Sequence, residues 1–282
     1  MKEKTPYDVL KSQRLGFLGA GSIVEAMLSG ILKKQLLPAE NILITNRSNR
    51  ERLQLLTETF GVTTCPEKAD VIRDADILIL AMKPKDAADA CRSVRGLLRP
   101  EQLVISVIAG VSTDLIAEWL DADCPIIRTM PNTSSAVGLS ATGIAANRFA
   151  ADDHLQLATL LFESIGSVYT VAEAELDIVT GLSGSGPAYI YYLVEAMEGA
   201  GATAGLSREM ARQLTVQTLL GAAQMLIHSS EEPSLLRQKV TSPGGTTQAG
   251  LEVLESFRFQ QAITSAVLRA AERAKELGAQ FR

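Results

Sequence analysis

The sequence predicts an α/β domain built on a parallel sheet, followed by an all-α C-terminal domain. Three observations carry this. Short unbroken apolar runs alternate with helical patterns over the first part of the chain. Beyond residue 172 the strand pattern stops and only helical periodicity remains. Aromatic residues are scarce, at 5%, while alanine and leucine are frequent, which favours helix packing over a β-sandwich. A strand that is apolar on both faces is buried from both sides, as in a parallel sheet layered between helices.

In order, Arg14–Leu18 is a short apolar strand that ends in glycines, and Ser22–Lys34 reads as helix with Ile23, Met27 and Ile31 on one face. Asn41–Thr45 is a second strand and Arg50–Phe60 a second helix. Gly61–Thr64 forms a short third strand, and Asp76–Ala81 a fully buried one. Pro84 opens a helix at the position where proline fits best. Leu103–Ile108 is the next strand, and Ser112 caps the helix that carries Trp119. Ile126–Met130 and Ala141–Ala146 are strands, Asp152–Ile165 a helix, and Ser167–Val171 the last strand. Then come the helices Ala188–Ala202, Ser207–His228, Pro233–Val240, Thr247–Leu254 and Phe259–Leu277. The change of periodicity divides the chain into an N-terminal extension (1–13), an α/β domain (14–172) and a helical domain (173–282).

Composition narrows the function. With 46% apolar and 21% charged residues, the 282-residue chain can build a core. The net charge of −5 provides no basic surplus for nucleic-acid phosphates. Cys65, Cys91 and Cys124 form no C-x-x-C pair, and His154 and His228 are far apart, so no metal ligand set is expected. No apolar run approaches the roughly 18–20 residues of a membrane span, and Met1–Gln13 has no signal-peptide core. A cytoplasmic protein with no membrane partner is expected.

Gly16-Phe17-Leu18-Gly19-Ala20-Gly21-Ser22-Ile23 places a G-x-G directly after a strand and directly before a helix. In that context Gly19 allows the tight turn, and Gly21 lets a pyrophosphate approach the helix N-terminus. Val24 occupies the third small position of the fingerprint, a departure from it. At the end of the second strand stands Asn46-Arg47-Ser48, with no carboxylate. An arginine and two small polar side chains suit a ribose 2′-phosphate, so NADPH is the expected cofactor and NADH the second choice. Ala81-Met82-Lys83-Pro84 and Ala109-Gly110 lie at the ends of later strands, where such sheets meet the ribose and nicotinamide. Asn132 is placed near the cofactor or in bracing its own loop.

The most informative stretch is Val240-Thr241-Ser242-Pro243-Gly244-Gly245-Thr246-Thr247. A helix start after two glycines and two threonines offers free N–H groups, hydroxyls and a positive dipole end, which together can hold a small carboxylate. The helical domain is also too short of partners to bury its apolar faces alone, which points to a dimer or a ring of dimers.

Several segments together resemble pyrroline-5-carboxylate reductase. They are Gly16 through Gly21, Met82-Lys83-Pro84, Met130-Pro131-Asn132-Thr133, Val179 through Ala188, and Pro233 through Glu255. The resemblance runs from about residue 14 to the end. It implies a Rossmann-type N-terminal domain, an all-α C-terminal dimerisation domain, and reduction of L-1-pyrroline-5-carboxylate to L-proline with NAD(P)H. By position, Val240, Ser242, Gly244, Gly245, Thr246 and Thr247 surround the substrate. Their N–H groups hold its carboxylate, and the Thr247 hydroxyl faces the ring nitrogen as the catalytic group. The chemistry agrees with the residues: a protonated cyclic imine takes hydride without a strong general acid, and no Ser/His/Asp set or carboxylate pair is evident. Two other readings stay open. One is a β-hydroxyacid-dehydrogenase-like enzyme, for which Lys239 is the one lysine near the loop. The other is a non-catalytic NADP-binding paralogue.

Overall fold

The computed structural model describes residues 5–281. One compact unit holds the chain up to Ser185 together with the residues from Arg269 on, and a second holds Gly186–Leu268.

The strands of the first unit are β1 (Leu15–Leu18), β2 (Ile42–Thr45), β3 (Thr63–Thr64), β4 (Ile77–Leu80), β5 (Leu103–Ser106), β6 (Ile126–Met130), β7 (Ser140–Ala146) and β8 (Gly166–Thr170). They form one sheet in the order β3-β2-β1-β4-β5-β6-β7-β8. The apolar runs are buried throughout in β1, β2, β4 and β5. Their side chains alternate between the two faces. Phe17, Ile77 and Ile79 join the core on one face, whereas Leu18, Leu78 and Leu80 join the core on the other. Neighbouring strands are parallel, as expected of such runs, with one exception: β7 is antiparallel to β6. The connection explains it. Pro131–Leu139 holds one short 3-10 turn, Thr133–Val137, too little chain for a crossover, so the strand returns directly.

The helices of this unit are α1 (Pro6–Lys11), α2 (Ser22–Lys33), α3 (Arg50–Phe60), α4 (Lys68–Asp74), α5 (Pro84–Arg92), α6 (Thr113–Leu120), α7 (Asp152–Glu163) and α8 (Leu176–Val179). Pro84 stands in the first turn of α5, and Ser112 caps α6 by accepting the Leu115 N–H. Residues 1–4, part of the stretch read as an extension, lie outside the described residues. From Thr5 that stretch folds: Thr5 and Asp8 form a capping box, and Leu10 is wholly buried in the core. After α8 the chain makes a π turn, Thr180–Gly184.

The second unit consists of α9 (Gly186–Thr203), α10 (Arg208–His228), α11 (Pro233–Lys239), α12 (Thr246–Ser256) and the first half of α13 (Phe259–Ala279). α9 and α10 pack as an antiparallel pair, with Gly201 against Ala211 so closely that a Cβ on the glycine would fall 2.9 Å from the alanine's. Among the described residues of this unit, Ala211 and Thr215 alone are buried.

Candidate functional site

A cavity of about 630 Å³ opens at the carboxyl ends of β1, β2 and β4. It stands where the strand order turns from β2 on one side of β1 to β4 on the other, the switch point at which open α/β sheets bind ligands. It brings together Gly19, Gly21, Asn46, Arg47, Ser48, Ala81, Met82 and Lys83 of the expected cofactor residues.

The glycines have separate reasons. Gly19 has φ +129°, a Cβ there would lie 2.2 Å from the Ala81 carbonyl oxygen, and its N–H donates to the Thr45 carbonyl at 2.8 Å. No side chain fits that turn, wedged between the ends of β2 and β4. Gly21 precedes α2 as an N-cap with no capping side chain, and a Cβ there would meet nothing within 4 Å. The first N–H groups of α2 are therefore uncovered, with room before them for an anion. Val24 is wholly buried in the core, so the departure from the fingerprint is absorbed by packing.

The β2 end is shaped by its own amides. The Asn46 side chain donates to the Asn49 carbonyl at 2.8 Å and accepts the Asn49 N–H at 3.0 Å. This turn presents Arg47 and Ser48, both exposed. Arg47 Nη1 meets Asp86 Oδ1 at 2.9 Å. Among the described residues, Thr45 Oγ1 is the one buried side-chain polar atom without a hydrogen-bond partner, and Thr45 lines the same cavity. Uncapped helix N–H groups, an arginine, an exposed serine hydroxyl and a buried hydroxyl without a partner among the described residues form a donor set that fits a phosphorylated dinucleotide.

Ala20, Ser22, Ile23 and Pro84 adjoin the cavity in sequence but are not part of its lining. Ala109 and Gly110 follow β5 and also stand outside it; Gly110 has φ +77° and packs against Ala274 and Gly278 of α13. Asn132 has both polar side-chain atoms engaged. Its Oδ1 accepts the Ser134 N–H and its Nδ2 donates to the Ser183 carbonyl, each at 3.0 Å, so it braces the π turn. Sequence reasoning missed several residues here. Lys68, Lys85, Asp86 and Asp89 line the cavity. Arg52 donates to the Ala20 carbonyl at 2.9 Å and pairs with Glu25, which ties α3 to the glycine turn. Lys68 sits on the short α4, which no periodicity announces. Asp86 reads in the sequence as an ordinary first-turn carboxylate.

The loop before α12 lies in the second unit. Gly244 has φ +70°, and Gly245 is the N-cap without a side-chain cap. The Gly244 N–H donates to Gln248 Oε1 at 2.8 Å, and the Gly245 N–H to the Ser242 carbonyl at 2.9 Å. The two glycine donors expected for a carboxylate are thus engaged within the loop. The N–H groups of Thr246, Thr247 and Gln248, in the first turn of α12, have no acceptor among the described residues. Ser242, Thr246 and Thr247 are exposed, and Val240 ends α11. Lys239 is ion-paired with Glu231.

Burial pushes the Cys91 thiol up to about 12 and the Cys124 thiol to about 11, which removes both as nucleophiles. Among the described residues no helix is long and apolar enough to cross a membrane.

Residues 173–277 match the family described as pyrroline-5-carboxylate reductase dimerisation. Residues 14–110 match the family described as NADP oxidoreductase, coenzyme F420-dependent. Pyrroline-5-carboxylate reductase 1 of Bacillus subtilis (strain 168) is 45% identical over 276 residues, covering 98% of this chain and 92% of that protein. Among solved structures, a pyrroline-5-carboxylate reductase from Coxiella burnetii is 37% identical with a TM-score of 0.88, covering 94% of this chain and 98% of that one. The Plasmodium falciparum pyrroline carboxylate reductase, solved with NADP bound, is 28% identical with a TM-score of 0.85, covering 95% of this chain and 99% of that one.

Proposed function

The chain belongs to the pyrroline-5-carboxylate reductase family, and we propose that it reduces L-1-pyrroline-5-carboxylate to L-proline, the last step of proline synthesis, in the cytoplasm. The observation that carries this reading is the cavity at the switch point of the sheet, with uncovered α2 N–H groups and Arg47 beside it. When bound, the nicotinamide supplies the hydride. NADPH is the preferred donor and NADH the second, and residues 14–172 hold it. The start of α2 takes the pyrophosphate, and Arg47 with Ser48 takes the 2′-phosphate. Met82 and Lys83 face the ribose and nicotinamide end.

Residues 173–282 take the substrate and form the dimer. The free N–H groups of Thr246, Thr247 and Gln248 hold the substrate carboxylate, helped by the dipole of α12. Ser242, Gly244 and Gly245 shape the loop around it. The imine nitrogen is protonated before transfer, so the carbon accepts hydride while the C=N electron pair moves onto nitrogen. No proton is needed in that step. The Thr247 hydroxyl accepts the N–H of the iminium and orients the ring. The β-hydroxyacid reading needs a free lysine as proton donor, and Lys239 is held by Glu231.

The test is the loss of NADPH absorbance on adding pyrroline-5-carboxylate, with NADH alongside. Oxidation of NADPH faster than NADH is expected. A protein that binds the cofactors but oxidises neither would instead be the non-catalytic paralogue.

A further inference from the structure

We propose that Asp86 selects between the two nicotinamide cofactors. Its carboxylate competes with the 2′-phosphate of NADPH for Arg47 and accepts the ribose 2′-hydroxyl of NADH. The proposal rests on the reading of the sheet cavity as the dinucleotide site.

In sheets of this kind the carboxylate that takes the ribose hydroxyl stands at the end of the second strand. Here that strand ends in Thr45-Asn46-Arg47-Ser48, and none of these is acidic. Asp86 brings a carboxylate into the same cavity from α5. It reaches the residue that has replaced the usual acid: Asp86 Oδ1 lies 2.9 Å from Arg47 Nη1. The two ligand-reading charges of the site are therefore paired with each other.

The pair is built to open. The Arg47 side chain is 83% exposed and that of Asp86 33%, so water screens the contact and holds it weakly. One guanidinium nitrogen is engaged with Asp86, and a dianionic phosphate is a stronger, bidentate partner for the rest of the group. A ribose without the phosphate offers Arg47 nothing better than Asp86, so the pair persists and its carboxylate is free to accept a hydroxyl. The cavity is also lined by Lys68, which is tied to the Ser93 hydroxyl at 2.7 Å, and by Lys83 and Lys85. Arg47 is the cation that Asp86 pairs with, and so the group for which phosphate and carboxylate compete.

Calorimetric titration of NADP⁺ and NAD⁺ into wild type, Asp86→Asn, Arg47→Ala and the double variant tests this without turnover. In Asp86→Asn the NADP⁺ affinity should rise and the NAD⁺ affinity fall, moving their ratio by about tenfold. The gain for NADP⁺ should vanish in the Arg47→Ala background. Asp86→Ser, which also removes the charge, should shift the ratio the same way if Asp86→Asn does not fold. A ratio unchanged within about twofold, or one that moves toward NAD⁺, overturns the proposal. Wild type that binds neither dinucleotide overturns the cavity reading itself, whereas wild type that binds both with an unmoved ratio overturns the role of Asp86 alone.

Discussion

Thr45 and Thr247 carry hydroxyls with opposite settings, and each yields a prediction. Thr45 is almost fully buried, and its Oγ1 has no partner among the described residues. A buried, unpaired hydroxyl costs about 1–3 kcal/mol, and a methyl of the same shape does not. Thr45→Val should therefore raise the melting temperature of the ligand-free protein and weaken NADP⁺ binding. A lower melting temperature, or unchanged affinity, would show that the hydroxyl has another use. Thr247 is exposed at the second position of α12. Thr247→Ala should lower kcat with pyrroline-5-carboxylate by about a hundredfold, as expected for loss of an orienting hydrogen bond, while the NADPH affinity barely moves. Near-normal turnover would defeat its assigned role. At this scale the sequence was legible wherever a residue type had one reason to be there. Gly19 and Gly21 follow a strand and open a helix, and Arg47 stands where an acid normally does. Asp86, Lys68 and Arg52 are not legible, because a charged residue on a helix has many ordinary uses and only the fold brings Lys68 and Asp86 to the cavity and Arg52 to the glycine turn.

Elements were legible in proportion to their length and burial. The runs of β1, β4 and β5 are apolar on both faces, the pattern of a buried strand, and all three are buried along their length. α1, at 6 residues, and α4, at 7, span too few turns to show a repeat. The reversal of β7 is set by a short connection rather than by its own residues. Contacts between elements are a further layer that no local pattern contains, and Gly278 is the clearest case. It lies in the last turn of α13, where alanine would normally gain about 1 kcal/mol over glycine. Yet a Cβ at Gly278 would stand 2.2 Å from the Gly110 carbonyl oxygen, and Gly110 is itself fixed at φ +77°. Backbone meets backbone there, so neither side can rotate away. Gly278→Ala should destabilise the protein by more than about 1 kcal/mol, against the helix propensity. A melting temperature that rises in this variant would mean that the α13 end moves freely off the β5 loop. Arg128 shows the same layer in charge: from the buried face of β6 it reaches Asp177 at 3.0 Å and Glu173 at 3.7 Å. Glu173 in turn accepts the N–H and hydroxyl of Thr113, so three elements are fixed by one guanidinium.

At the scale of the molecule, the second unit has almost no core of its own. α10 runs for 21 residues with Ala211 and Thr215 as its buried side chains. Val216, Leu220 and Ile227 share one of its faces, and each is at least half exposed. A helix that is apolar on several sides is one that is buried in the working state. The match of residues 173–277 to a dimerisation family identifies the cover as a second copy. Sequence composition could announce the need for a partner, since helices this apolar cannot all face solvent, but not which faces meet. Leu220→Glu tests the face. At 52% exposure in the single chain, a polar substitution there would ordinarily change stability by no more than about 0.5 kcal/mol. If the face is covered by a partner, the same change buries a carboxylate with no counter-charge and costs several kcal/mol per interface. Light scattering should give wild type a mass of at least twice the chain's 30.2 kDa. The variant should fall toward the single-chain mass and melt earlier, and its melting temperature should no longer rise with protein concentration. An unchanged mass and melting temperature would place Leu220 on the outside of the assembly and move the contact to another face of α10 or to α9.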